Sequence, residues 1–146
     1  MRKVILILVA ALLLSSCGVS SSLYDWGFNL KDASDYENAA YDLYNEQTPE
    51  SICRLLCEYE KLVSNPGGSR MVPPPGICAE YGYLLLQPET AETFMKSATV
   101  SQKRMFEGSD YAIIFRERGE EMLKKELELY PESAKLIQPI IDRIGL

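Results

Sequence analysis

Cys53, Cys57 and Cys78 are the residues whose type and spacing come nearest to chemistry. The first two are four apart and share one helical face, and Cys78 opens the next helix, so all three can approach one another. That arrangement allows one disulfide with a thiol left over, three buried thiols, or three thiolates on a soft metal that lacks a fourth ligand. Antiparallel pairing of the two helices brings Cys57 nearer than Cys53 to Cys78, so Cys57–Cys78 is the expected bond. Other chemistry is narrowed by absence. The chain has no histidine, which excludes Ser-His-Asp and Cys-His catalysis, histidine-ligated zinc and histidine-ligated haem. Gly67-Gly68 lacks the Lys-Ser/Thr of a phosphate-binding loop. Glu120-Glu121 and Glu126 with Glu128 offer paired carboxylates, but on an amphipathic helix with interspersed lysines they read as a solvated face. No catalytic residue, metal site or cofactor is expected, and the protein reads as a non-enzyme.

The fourth cysteine, Cys17, stands apart. Ahead of it lie a basic start (Arg2, Lys3), an apolar run from Val4 to Leu14 and two small residues, the three parts of a secretory signal. The run is shorter than the roughly 20 apolar residues that span a bilayer as a helix. Leu14-Ser15-Ser16-Cys17 resembles the lipobox of bacterial lipoproteins. The resemblance implies that the Cys17 thiol receives a diacylglycerol, that the chain is cut before it and that the new amino group is acylated. Several acyl chains, at about 0.8 kcal/mol per buried methylene, hold a protein on a membrane. Gly18 stands where an aspartate resembles an inner-membrane retention signal, and Gly18-Val19-Ser20-Ser21-Ser22 carries no acidic run of the kind that marks surface export. The expectation is an outer-membrane lipoprotein facing the periplasm.

Loss of residues 1–16 removes Arg2 and Lys3. The 15 Lys and Arg then fall to 13 against 21 Asp and Glu, and the formal net charge moves from −6 to −8. Nucleic acid is thereby disfavoured as a partner. The mature chain suffices for one domain with a real core.

Residues 17–22 read as a short polar tether, and 23–146 as a single helical domain. Leu23-Tyr24-Asp25-Trp26-Gly27-Phe28 places three aromatics, including the only tryptophan, within five residues. Tyr24, Trp26 and Phe28 form either an N-terminal plug on the helices behind them or a patch for a partner. Ser34 or Asp35 caps a helix carrying Tyr36, Ala39, Ala40, Leu43 and Tyr44 at helical spacing. Thr48, Pro49 and Glu50 open a helix over 49–64 with an apolar stripe of Ile52, Leu55, Leu56, Tyr59, Leu62 and Val63. Asn65-Pro66-Gly67-Gly68-Ser69 ends it. Pro73-Pro74-Pro75 stiffens the connector to a helix beginning near Cys78.

That helix carries Cys78, Tyr81-Gly82 and Leu85, which resemble the first helix of a tetratricopeptide repeat. Gly119, Leu123 and Pro131 resemble the small, aromatic and proline positions of its second helix. In a regular repeat the two small positions lie about twelve apart, so Gly82 and Gly119 imply an insertion of about 25 residues, near 88–111. Within it Thr90 opens a helix with Ala91, Phe94, Met95 and Ala98 on one face. A long helix follows from Tyr111 to Tyr130, and a last one, capped at Ser133, passes through Pro139, where a kink is expected. The fold class is all-α: antiparallel helix pairs resembling a tetratricopeptide-like solenoid, with a helical insertion in one repeat.

The ordered pieces Leu23-Tyr24-Asp25-Trp26-Gly27, Thr48-Pro49-Glu50-Ser51, Pro74-Pro75-Gly76, Ala79-Glu80-Tyr81-Gly82-Tyr83 and Leu129-Tyr130-Pro131-Glu132-Ser133, with the lipobox, resemble a family of small bacterial lipoproteins of unassigned function. Its members look like partners, in neighbouring genes, of two other lipoproteins, one resembling the curli secretion channel. The resemblance implies a non-catalytic helical adaptor or assembly factor for an envelope or secretion complex, tethered through the lipid on Cys17 and bound to a protein partner. The alternative is a thiol-based redox or metal-handling protein using Cys53, Cys57 and Cys78.

Overall fold

The computed structural model describes residues 22–27 and 34–145. The leader, Cys17, the tether up to residue 21 and Phe28 lie outside the described residues. All helices and strands found among the described residues are helices, as the periodicity predicts.

Helix α1 (Asp35–Glu46) begins at Ser34, whose hydroxyl accepts from the Glu37 amide while the Glu37 carboxylate accepts from the Ser34 amide. It stops where Gln47 turns left-handed, at φ 49°. Helix α2 (Pro49–Ser64) has the predicted bounds. Thr48 and Ser51 cap it reciprocally, and proline stands at its start, where a missing N–H costs nothing. Tyr36 against Tyr59 and Asp42 paired with Arg54 run in opposite directions along the chain, so α1 and α2 form an antiparallel hairpin. Leu55, Leu56, Tyr59, Leu62 and Val63 are buried as the stripe predicts. Ile52 is only half-buried, and Cys53 and Cys57 enter the core beside it.

The second hairpin is formed by α3 (Ile77–Leu85) and the long α6 (Tyr111–Leu129). Gly82 and Gly119 mark their crossing. A Cβ on Gly82 would lie 2.8 Å from the Gly119 carbonyl oxygen, and one on Gly119 would lie 2.6 Å from Leu86 Cγ. The backbones are therefore closer than any side chain would permit.

Between these helices lie α4 (Thr90–Ser97) and the single turn α5 (Val100–Lys103), which the sequence pattern does not predict. They pack inward. Phe94, fully buried, meets Phe106, Tyr111 and Phe115 with ring centroids 5.0–5.1 Å apart. Such edge-on contacts add about 0.5–1.5 kcal/mol each beyond area burial, so the inserted stretch closes the core rather than decorating it. Thr90 is not a cap: its hydroxyl donates to the Leu84 carbonyl at 2.8 Å, and Glu89 stands at the cap position without a side-chain bond.

The chain then makes a 3₁₀ turn (Pro131–Ser133) and α7 (Ala134–Ile144), which continues through the exposed Pro139. Ser133 does not cap α7 with its side chain. Its hydroxyl turns to Glu126 instead. Ile137 and Ile141 bury against Leu123 in a second small apolar cluster.

Ser22 and Leu23 are pinned to the loop after α2. Ser69 N–H donates to Ser22 O at 3.0 Å and Arg70 N–H to Leu23 O at 3.1 Å. Gly68, at φ 75°, makes room for that pairing: a Cβ there would stand 2.6 Å from Leu23 O.

Candidate functional site

Two constructions, one polar and one largely apolar, lie where α3 meets its neighbours. The first joins it to α2. Tyr59 donates its hydroxyl to Glu80 Oε2 at 2.7 Å, and Tyr81 donates to Glu60 Oε2 at 2.6 Å. Tyr36 adds a second bond to Glu80 Oε2 at 2.9 Å. Arg118 of α6 reaches Glu60 through both Nη2, at 2.7 Å, and Nε, at 3.2 Å, in a forked ion pair, and also touches Glu121. Trp26, Tyr36, Tyr59 and Tyr81 follow one another in ring contact at 6.2, 5.4 and 5.5 Å. Burial, then the adjacent Glu80 carboxylate, pushes the Tyr36 phenol up to about 12. Burial first, then their carboxylate partners, raises Tyr59 and Tyr81 further. All three are fixed as neutral donors, which suits a clasp and not proton transfer near neutral pH.

The second construction is a cleft of about 320 Å³ between α3 and α7. Ala79 and Tyr83 line one side, Leu136, Ile137 and Ile140 the other, and Glu80 and Glu126 also border it. Leu136 is 77 % exposed and Tyr83 51 % exposed. Glu126 is 0 % exposed. Its Oε1 accepts from the Gly76 N–H at 2.9 Å and from the Ser133 hydroxyl at 3.2 Å, while its Oε2 is buried with no partner. Glu126 thus takes, from α6, the backbone N–H of Gly76, the residue that opens α3, as the glutamate of a capping box would, while α3 has no side-chain cap of its own.

The sequence reading placed Glu126 on a solvated face, and the structure corrects that. Phe115, Gly119, Met122, Leu123 and Glu126 are all buried on one side of α6. That spacing is the signal that assigns Glu126 to the core. Glu60, Glu80 and Arg118 carried no comparable mark, because each is bound by tertiary partners.

Tyr24 and Trp26 are half-buried. Trp26 packs on Tyr36 and the main core, and Tyr24 meets Tyr130 edge-on at 6.3 Å under the Arg70 guanidinium. Both rings pack on residues of the helical body. Cys53, Cys57 and Cys78 are free, buried thiols, so the expected Cys57–Cys78 bond is not formed in this structure. Burial raises their ionisation to about 11, 12 and 12 respectively. Thiols held protonated in this way are poor nucleophiles and poor metal ligands. Among the described residues no group of three or more His, Cys, Asp or Glu is placed to hold a metal ion, and no helix is long and apolar enough to cross a membrane.

Comparison with protein-family models, with curated proteins and with solved structures gave no match.

Proposed function

We propose that this protein is a lipid-anchored, non-catalytic helical adaptor on the periplasmic face of the outer membrane, holding a protein partner of an envelope or secretion complex in the cleft between α3 and α7. The observation that carries this reading is the cleft itself, an apolar surface with Leu136 and Tyr83 held open to solvent. Exposed apolar surface beside a folded core marks binding sites. The Gly82–Gly119 approach supports a tetratricopeptide-like helix pair, since that repeat joins its two helices through small residues. Helix pairs of this kind present grooves to extended or helical partners.

The anchor follows from Leu14-Ser15-Ser16-Cys17. Ser22 is pinned to the Ser69 loop and stands five residues after Cys17, so a lipid there keeps Ser22, the near edge of the domain, within about 17 Å of the membrane surface, at roughly 3.3–3.6 Å per residue. Partners are restricted to what the domain reaches from there. Neighbouring lipoproteins, which are held in the same layer, fit the restriction. The thiol-based alternative gains no support from three buried, protonated cysteines.

A photo-crosslinking residue at Leu136, in the lipidated protein in its own envelope, tests the reading. A discrete adduct is expected there and none from Glu128, exposed on α6. Equal, diffuse labelling from both positions contradicts a docking cleft.

A further inference from the structure

Glu126 is over-equipped for its structural task. Holding the start of α3 to α6 needs one acceptor oxygen, and Oε1 alone takes both the Gly76 amide and the Ser133 hydroxyl. A glutamine would present the same oxygen without a charge. The carboxylate instead leaves Oε2 buried and unpartnered at the border of an apolar cleft. A buried acceptor without a donor is costly, and more so when it carries charge. Among the described residues nothing of opposite sign borders the cleft: its polar residues are Glu80, Tyr83, Glu126 and Ser133, and Glu80 adds a second carboxylate on the α3 side. The tyrosine bonds to Glu80 both fall on Oε2.

An apolar trough bordered by two carboxylates, one of them desolvated and short of a donor, is complementary to an aliphatic chain ending in a cation. We infer that the cleft binds an apolar segment of a partner protein that inserts one lysine, which parts the cleft walls over the buried Glu126 so that its ammonium donates to Oε2, while neighbouring aliphatic side chains cover Leu136, Ile137 and Ile140. Lysine fits the cleft better than arginine: its four-carbon stem lies along apolar walls and its head is a compact donor. The acidic balance of the chain favours approach of such a segment. This inference rests on the adaptor reading and names the chemistry of its partner.

The test uses the mature lipidated protein in non-ionic detergent micelles and two capped synthetic peptides. Each is an amphipathic helix of leucine and alanine, one with a single lysine centred in its apolar face, the other with the near-isosteric norleucine there. Calorimetry is expected to show the lysine peptide binding roughly ten- to a hundredfold more tightly, the range for a hydrogen bond to a charged group. Glu126→Gln should reduce that preference to below about threefold, and Leu136→Asp should abolish binding of both peptides. Equal affinity for the two peptides overturns the inference. So does a lysine preference that survives Glu126→Gln, or hexylamine binding as tightly as the lysine peptide, which would make this a small-amine pocket. Should Glu126→Gln fail to fold, the carboxylate carbon resonance of Glu126 in the wild-type protein decides: it must move with the lysine peptide and stay put with norleucine. Crosslinks at Leu136 without any cation preference would sink the lysine contact alone, whereas absence of crosslinks there would sink the adaptor reading beneath it.

Discussion

Tyr59 and Tyr81 stack with ring centroids 5.5 Å apart and planes 25° from parallel, and each hydroxyl binds the carboxylate adjacent in sequence to the other ring: Tyr59 to Glu80, Tyr81 to Glu60. The exchange ties α2 to α3 at one level with two rings and two charge-assisted hydrogen bonds. Arg118 brings α6 into the same knot. Tyr81→Phe leaves Glu60 largely buried with one donor fewer and should destabilise the fold by about 1.5–3 kcal/mol. Tyr59→Phe should cost less, because Glu80 keeps Tyr36 and is more exposed. Urea midpoints for the two variants check the order, and a larger loss for Tyr59→Phe contradicts it.

The α3–α6 crossing reverses an ordinary rule. Gly→Ala inside a helix usually gains close to 1 kcal/mol. At Gly82 the added methyl would meet a backbone oxygen that cannot step aside, and Gly82→Ala should instead lose about 1–3 kcal/mol through overpacking. At Gly119 the nearest atom is Leu86 Cγ at 2.6 Å, a side chain, and the Gly82 carbonyl oxygen stands further off at 3.1 Å, so Gly119→Ala should lose less. Thermal melts of both variants would show it, and a rise in Tm for Gly82→Ala would be inconsistent with so close a crossing.

Much of this architecture is legible in sequence because it is local. Ser34 and Thr48 cap the helices they precede, using partners three residues away. Thr90 and Ser133 have the same chemistry and fail as side-chain caps, since Leu84 O and Glu126 take their hydroxyls. The close approach of Gly82 and Gly119 joins residues separated by the whole stretch of α4 and α5, and no local pattern around either glycine reports it. Hardest to see is Glu126. Its position on α6 marks it as core while its charge marks it as surface, and the bonds that decide come from Gly76 and Ser133, one of them 50 residues away.

Burial of the three thiols sets a pH dependence. Each folded-state ionisation lies above the ordinary value of 9.0, so the folded protein holds protons that the unfolded chain would release. Their contribution is complete below about pH 9 and is lost as pH rises toward 11–12. Unfolding midpoints should therefore fall between pH 8.5 and pH 10.5, and Ellman's reagent should react only on unfolding. Prompt reaction of any thiol in the native protein would contradict this burial.

Gly68→Ala is expected to free Ser22 and Leu23 from the loop after α2. The methyl would strike Leu23 O at a left-handed backbone position, breaking the Ser22–Ser69 and Leu23–Arg70 pairing. Amide exchange should accelerate at Ser69 and Arg70, whose N–H groups make those bonds, while the amides of α6 keep their protection. Unchanged exchange at both residues would mean the pairing does not hold this segment.

The adaptor reading is tested most directly by crosslinking from the cleft in the native envelope. With the photoreactive residue at Leu136, the lipidated protein should give one discrete adduct that is lost in Cys17→Ser, which releases it from the membrane layer, while Glu128 gives none. An adduct of the same yield from Glu128, or none from Leu136 in a correctly lipidated protein, would contradict the account.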